Sequence, residues 1–270
     1  MKIYNCHSHS KYSHDGEGSI EEIVASAVKY GLAGIVISDH CDCEYCNDEI
    51  MNKNLLNSYT DTKNSAEKYK NELQIFTGIE IGDALFAPEF AKEIIASKNR
   101  DVILGSVHAE RIKGIDIPFS LIDFSTFTDS EIEIYTRQYF FDVLQTAEET
   151  EYDILCHLTV LMRYIKYKYK RNISLKDNMD LIEEILKTVI KRNKTLEINV
   201  SGYNDGYLMP DKDIISLYKS LGGKKISLGN DSHRPEGIGA GINESVILLK
   251  EAGVDSLVYY KNRKPVIYNI

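Results

Sequence analysis

The chain has 270 residues, 43% hydrophobic and 27% charged, enough apolar material for a large core and without the bias of a disordered chain. Its formal net charge of −9 argues against a nucleic-acid surface, which needs a basic face to displace counterions, and no apolar run is long enough for a membrane span. No Pro-, Gly- or Ser-rich stretch divides it, so one domain over residues 1–270 is expected. The N-terminus reads as a strand rather than a signal peptide, and five cysteines, an odd number, fit a reducing compartment; a cytoplasmic protein is expected.

In chain order, Lys2-Ile3-Tyr4 opens a strand that runs into His7-Ser8-His9. Ser19-Ile-Glu-Glu22 is a capping box, and Ile20, Ile23, Val24, Ala27 and Val28 recur at helical spacing until Gly31. The run from Gly34 to Ser38 is short, β-branched and too apolar to alternate, as in a strand buried on both faces. Further strands are predicted near 74–80, 101–107, 152–156, 195–199 and 225–230. Helical patterns near 58–71, 88–98, 129–149, 177–193 and 211–221 separate them, and a last helix near 241–252 ends at Gly253. Seven strands alternating with helices predict an α/β fold with a parallel sheet. Ser256-Leu-Val-Tyr-Tyr260, Asn262-Arg263 and Val266-Ile-Tyr268 predict a terminal hairpin over 256–270.

Six of the seven histidines stand in short polar breaks, several directly after a predicted strand: His7 and His9, His40, His108, His157 and His233. Glu80, Asp39 and Asp231 occupy similar places, and His14 stands apart beside Asp15. Ligand-type residues beyond so many strands favour a closed TIM-like barrel over a flat sheet, where a switch point would use only a few strand ends. Gathered imidazoles and carboxylates suit Zn, Fe or Mn. In an acidic chain such ions, with nearby arginines, would supply the positive charge an anionic substrate needs.

The ordered set His7-x-His9, Asp15, Ser38-Asp39-His40, Gly78-Ile-Glu80, Ser106-Val-His108, Cys156-His157-Leu158 and Asn230-Asp231-Ser-His233 resembles the PHP (polymerase and histidinol phosphatase) superfamily. Within it, Asp15 and Leu196-Glu-Ile-Asn-Val-Ser-Gly202 look most like the histidinol-phosphate phosphatases. That resemblance implies a distorted (β/α)7 barrel holding three divalent ions, Zn, Fe or Mn. One ion would take His7, His9, Glu80 and Asp231, a second Glu80, His108 and His157, and a third Asp15, His40 and His233. Glu80 is the expected bridge, because a carboxylate has two oxygens.

The implied reaction is hydrolysis of a small phosphomonoester, L-histidinol phosphate to L-histidinol in histidine biosynthesis, by a hydroxide held between metals. Asp15, Glu80, Asp231 and His233 form the expected catalytic set, with Asp15, His233 or a metal-bound water protonating the leaving oxygen. Arg163, where the family carries a phosphate-binding arginine, and Arg234, beside His233, are the expected substrate contacts, since a guanidinium fork fits phosphate. The rivals are a PHP phosphodiesterase acting on nucleotides or other esters and a non-catalytic metal-stabilised module. One departure bears on substrate: the family follows its Asn-x-Ser-Gly motif with an arginine, whereas Gly202 precedes Tyr203-Asn204-Asp205. Cys41-x-Cys43-x-x-Cys46 reads as a reduced loop rather than a zinc site, and Cys6 and Cys156 as ordinary buried thiols. The partner expected is a small phosphorylated metabolite; the sequence is silent on oligomeric state.

Overall fold

The computed structural model describes residues 2–109, 111, 117–171 and 173–270. The first half contains β1 (Tyr4–Asn5), α1 (Ile20–Lys29), β2 (Gly34–Ile37), β3 (His40–Asp42), α2 (Glu49–Lys68), β4 (Gln74–Thr77), β5 (Glu80–Gly82), α3 (Pro88–Ser97) and β6 (Leu104–Ser106). The second half contains α4 (Asp129–Glu149), β7 (Ile154–Leu155), α5 (Met179–Lys191), β8 (Thr195–Asn199), α6 (Lys212–Ser220), β9 (Ile226–Gly229), α7 (Ile242–Glu251), β10 (Ser256–Lys261) and β11 (Lys264–Asn269).

The parallel ladders run β1-β2-β4 and β3-β5-β6-β7-β8-β9. β2 and β3 are successive segments of one stave, as are β4 and β5; the ladder breaks at Ser38-Asp39 and Gly78-Ile79 and resumes two residues later. Closure comes from backbone hydrogen bonds between the β1 and β9 segments: Cys6 N to Leu228 O at 2.8 Å, Asp231 N to His7 O at 3.0 Å and His9 N to Ser232 O at 2.9 Å. Among the described residues seven staves therefore close a distorted parallel barrel with the helices outside. The strands read as continuous apolar runs because both faces are covered, by the barrel interior and by helices.

Helix α1 carries the predicted capping box, with Ser19 accepting from Glu22 N while the Glu22 side chain accepts from the Ser19 backbone. Its buried face, Ile20, Ile23, Val24 and Ala27, joins the main core; full burial of an aliphatic side chain such as Ile23 is worth about 1.5–3 kcal/mol. Helix α2 corrects the expected start near 58: it begins at Glu49, where the Asp48 carboxylate caps Ile50 N at 2.7 Å and Met51 N at 3.1 Å. Its buried positions are Leu55, Ser58, Thr62 and Ser65, mostly small and polar, so hydropathy gives little periodic signal.

The terminal hairpin β10-β11 plugs the N-terminal end of the barrel. Tyr259 stacks on Tyr4 with ring centroids 3.9 Å apart, and the Tyr260 hydroxyl lies 2.8 Å from Thr195 Oγ1 at the start of β8. Asn262 and Arg263 turn the hairpin with φ of 51° and 62°, the pair of left-handed residues that a two-residue type I′ turn requires. No helix among the described residues is long and apolar enough to cross a membrane.

Candidate metal centre

The C-terminal strand ends converge on a cavity of about 550 Å³, within the roughly 300–1,000 Å³ usual for small-molecule sites. His7, His9, His40, Glu80, His157 and Asp231 are buried around it. Two of these residues sit on left-handed backbone, His157 at φ 24° and Asp231 at φ 49°, a conformation costing about 1–3 kcal/mol for a non-glycine residue. Each is held there: Glu197 accepts from His157 N at 2.7 Å, and Asp231 N donates to His7 O.

Four imidazoles are oriented by their Nδ1 atoms. His7 Nδ1 lies 2.7 Å from Glu197 Oε1, His9 Nδ1 3.2 Å from Ser13 Oγ, His108 Nδ1 2.9 Å from Asp42 Oδ1 and His233 Nδ1 3.0 Å from the Asp231 carbonyl. Ser13 Oγ donates its own hydrogen to Asp39 Oδ1 at 2.9 Å, so it accepts from His9. An Nδ1–H spent in this way leaves Nε2 as an inward-facing lone pair, the arrangement of metal-binding histidines.

Those lone pairs converge. His7 Nε2 and His9 Nε2 are 2.9 Å apart, and Asp231 Oδ1 stands 3.1 Å from His9 Nε2. Glu80 Oε2 faces the same two histidines at 3.3 and 3.5 Å, while Glu80 Oε1 faces His108 Nε2 at 3.3 Å and His157 Nε2 at 2.9 Å. Toward the open side His40 Nε2 and His233 Nε2 are 3.3 Å apart, with the Asp15 carboxylate 3.6 and 3.3 Å from them. Facing acceptors without a shared proton repel, and buried acceptors without partners are costly; a cation between them removes both penalties. Glu80 Oε2 and His40 Nδ1 are both buried and make no aligned hydrogen bond although 2.8 Å apart, so without an ion only a charge on His40 relieves them. The donor chemistry and these orphaned atoms fit divalent ions, and the groups able to hold one include His7-His9-Asp231, His40-Glu80-His108 and His9-His40-His233.

The charge states agree. Burial pushes the Glu80 carboxyl up, but His7, His108 and His40 outweigh it and hold the group well below the usual range. Asp231 is held low in the same way by His7, His9 and His233 against burial. For His9, burial and the neighbouring His40 and His233 drive the pKa well down. The site thus holds ionised carboxylates among imidazoles of which one at least resists protonation.

Of the two arginines expected to meet substrate, the structure brings one into the cavity. Arg163 stands at the head of a π-helical turn, Arg163–Lys168, and lines the cavity with Nη2 3.3 Å from Asp231 Oδ2 and bonded to Ser201 Oγ. Arg234 does not enter it: the side chain is 69% exposed and pairs with Glu17 at 2.9 Å. The extended backbone at Arg234 (φ −139°, ψ 140°) turns its side chain out of the main cavity, and it lines an adjoining pocket with Asp231 and His233. His14 stands at the mouth, 67% exposed.

Three residues outside the expected site set hold the ligands in place; Asp39 and Glu197 lie within the quoted motifs and Asp42 does not. Glu197 and Asp42 anchor His7 and His108, and Asp39 accepts from Ser10 N, Ser10 Oγ, Ser13 Oγ and Ser58 Oγ at 2.5–2.9 Å, fixing the loop that carries His9. A charge inside the apolar run Thr195–Asn199 was the available signal for Glu197. The five cysteines are free, Cys41, Cys43 and Cys156 are buried, and Cys156 lies beside His7 and Glu80. Burial and Glu197 raise its pKa and keep it protonated.

Comparison with known proteins agrees with this geometry. A probable histidinol-phosphatase of Thermotoga maritima is 29% identical over 258 residues, covering 94% of each chain. A histidinol-phosphatase of Lactococcus lactis subsp. lactis is 28% identical, covering 98% of this chain and 96% of its own. The solved structure of histidinol phosphate phosphatase from Lactococcus lactis subsp. lactis Il1403, complexed with Zn, L-histidinol and phosphate, matches with a TM-score of 0.79, covering 98% of this chain and 99% of that one. With the PHP domain model matching residues 5–201, more than two thirds of the sequence, the chain belongs to the PHP domain family.

Proposed function

We propose that this protein is a metal-dependent phosphatase that hydrolyses L-histidinol phosphate to L-histidinol. The observation that carries the reading is Glu80, whose two oxygens face two different histidine pairs beside an arginine that lines the same cavity. His7, His9, Glu80 and Asp231 would hold one ion, Glu80, His108 and His157 a second, and Asp15, His40 and His233 a third. Zn, Fe and Mn all suit these nitrogen and oxygen donors. Divalent ions there supply Lewis-acid polarisation of a phosphoryl oxygen and a water of lowered pKa.

The chain's own groups complete the site. The Arg163 guanidinium offers N–H donors to the phosphoryl oxygens, whose charge must be neutralised as the ester bond breaks. Asp15 and His233, 3.3 Å apart at the open side, would be this chain's own candidates for handing a proton to the departing alkoxide. Glu197 and Asp42 hold the histidine tautomers while this occurs. The relative that holds Zn, L-histidinol and phosphate supports the substrate assignment. The apolar and aromatic residues of the cavity, among them Phe119, Leu121 and Tyr164, provide a surface for an organic leaving group. A role in histidine biosynthesis in the cytoplasm follows from this activity as part of the proposal.

The test is kcat/KM of metal-reconstituted protein for L-histidinol phosphate against other phosphomonoesters and an aryl phosphodiester. Preference for L-histidinol phosphate is expected. Better turnover of another monoester overturns the substrate, preference for the diester overturns the reaction class, and metal binding without turnover leaves a structural module.

A further inference from the structure

After Asn199-x-Ser201-Gly202 the chain runs Tyr203-Asn204-Asp205-Gly206-Tyr207, without an arginine or lysine. Among the described residues, Arg163 is the one arginine or lysine lining the cavity, so the orientation of its guanidinium decides how phosphate is held. Arg163 sits on a π-turn, where Tyr169 N bonds to Tyr164 O five residues back at 3.0 Å; such turns are rare and recur at functional sites.

Tyr167, one turn later, stacks on Tyr207 with ring centroids 3.7 Å apart and planes at 12°. Tyr207 in turn lies over Gly202, where any Cβ would overlap its ring. The Tyr207 hydroxyl faces Arg163: burial raises its pKa and the guanidinium works against that rise. From the other side Ser201 Oγ accepts from Arg163 Nη2 and donates to Asn199 Oδ1 at 2.6 Å. A guanidinium held between two such groups loses less freedom when it binds an anion.

We propose that Tyr207, held by Gly202 and by its stack on Tyr167, is a positioning residue that fixes Arg163 for phosphate. This rests on the phosphatase reading of the cavity. The aromatic stack carries the placement, and the hydroxyl refines it. Tyr207 does not line the cavity itself and meets the turn that carries Arg163 through its stack on Tyr167, so its effect must pass through Arg163.

The experiment compares wild type, Tyr207→Leu and Tyr207→Phe as metal-loaded proteins, reading KM and kcat for L-histidinol phosphate and the dissociation constant of inorganic phosphate. Tyr207→Leu is expected to raise both KM and the phosphate constant about tenfold, the scale of one weakened charge-assisted hydrogen bond, with kcat changed less and metal content full. Tyr207→Phe, which keeps the stack, is expected to restore most of the loss. In an Arg163→Lys background Tyr207→Leu should add little, because coupled residues are not additive.

Unchanged phosphate affinity in Tyr207→Leu, or a full additional loss in the Arg163→Lys background, overturns the proposal. Should Tyr207→Leu fail to fold, Tyr167→Ala decides by the same phosphate titration: weakened binding with metal retained supports positioning, and unchanged binding overturns it. Absence of ester turnover by wild type, with phosphate binding still altered in the variants, would count against the phosphatase reading and leave the positioning of Arg163 standing.

Discussion

Glu197 Oε1 stands 2.7 Å from His7 Nδ1 while its other oxygen accepts from His157 N at 2.7 Å, so one buried carboxylate orients two residues of the metal centre. A carboxylate accepts at both oxygens, whereas an amide accepts at one and donates at the other. Glu197→Gln therefore sacrifices either the His7 tautomer or the backbone of His157, itself on left-handed backbone. Metal affinity is expected to fall roughly 10- to 100-fold, the usual effect of losing an outer partner of a histidine ligand, with secondary structure kept. Titration of chelated protein with Zn checks this, and wild-type affinity in the variant would show that Glu197 is only a core carboxylate.

Glu80→Gln tests the bridge. The two Glu80 oxygens divide between His7 and His9 on one side and His108 and His157 on the other, so the amide nitrogen must face one of the pairs. More than one ion is expected to be lost, and activity should drop by at least about 100-fold, the scale of removing a preorganised electrostatic element. Elemental analysis decides: a protein that keeps its full metal complement has no bridging carboxylate at this position.

The first tier of the centre is legible in the sequence because each strand is a buried apolar run, and an imidazole directly after it has no bland reason to be there. The second tier is not. Glu197 lies 190 residues from His7, and the spacing that makes it a partner exists only once the barrel closes through Cys6 and Leu228. Asp42 pairs with His108 across β3, β5 and β6 in the same way. The start of α2 is hidden for a different reason, since its buried face is mostly Ser and Thr and the apolar period vanishes. Arg234 is the opposite case: it follows His233 in sequence and lines an adjoining pocket with Asp231 and His233, yet it pairs with Glu17 and stays out of the main cavity.

Metal removal should invert the pH dependence of stability. In the metal-free protein burial pushes the His40 pKa down, but Glu80 and Asp42 outweigh it and hold the group at about 9, above the ordinary 6.5. A folded pKa raised above the unfolded one gives stability that is fully present below pH 6.5 and lost as pH rises through about 9. Chelated protein is therefore expected to lose Tm across that window. Metal-loaded protein should gain metal affinity there, because ligating imidazoles must be neutral, so the Tm difference between the two forms widens with pH. Thermal melts of both forms across the window check it, and a metal-free Tm that climbs with pH would refute the charged His40.

Gly82 is the last residue of β5, where a Cβ would overlap Asp42 Oδ1 and come within 2.9 Å of His108 Nδ1. Gly82→Ala must therefore push Asp42 off His108, freeing the imidazole that faces Glu80 Oε1. Loss of metal from the His108-His157 side is expected, with affinity there reduced roughly 10- to 100-fold and about 1–3 kcal/mol of overpacking cost to stability. The two effects separate in a cycle with Asp42→Ala. If the methyl acts through Asp42, the double variant binds metal no worse than Gly82→Ala alone and regains part of the lost stability, because the clash with Asp42 is gone and only the contact with His108 remains. If instead the double variant loses metal additively, Gly82 and Asp42 support the centre independently and the close approach is only a packing detail.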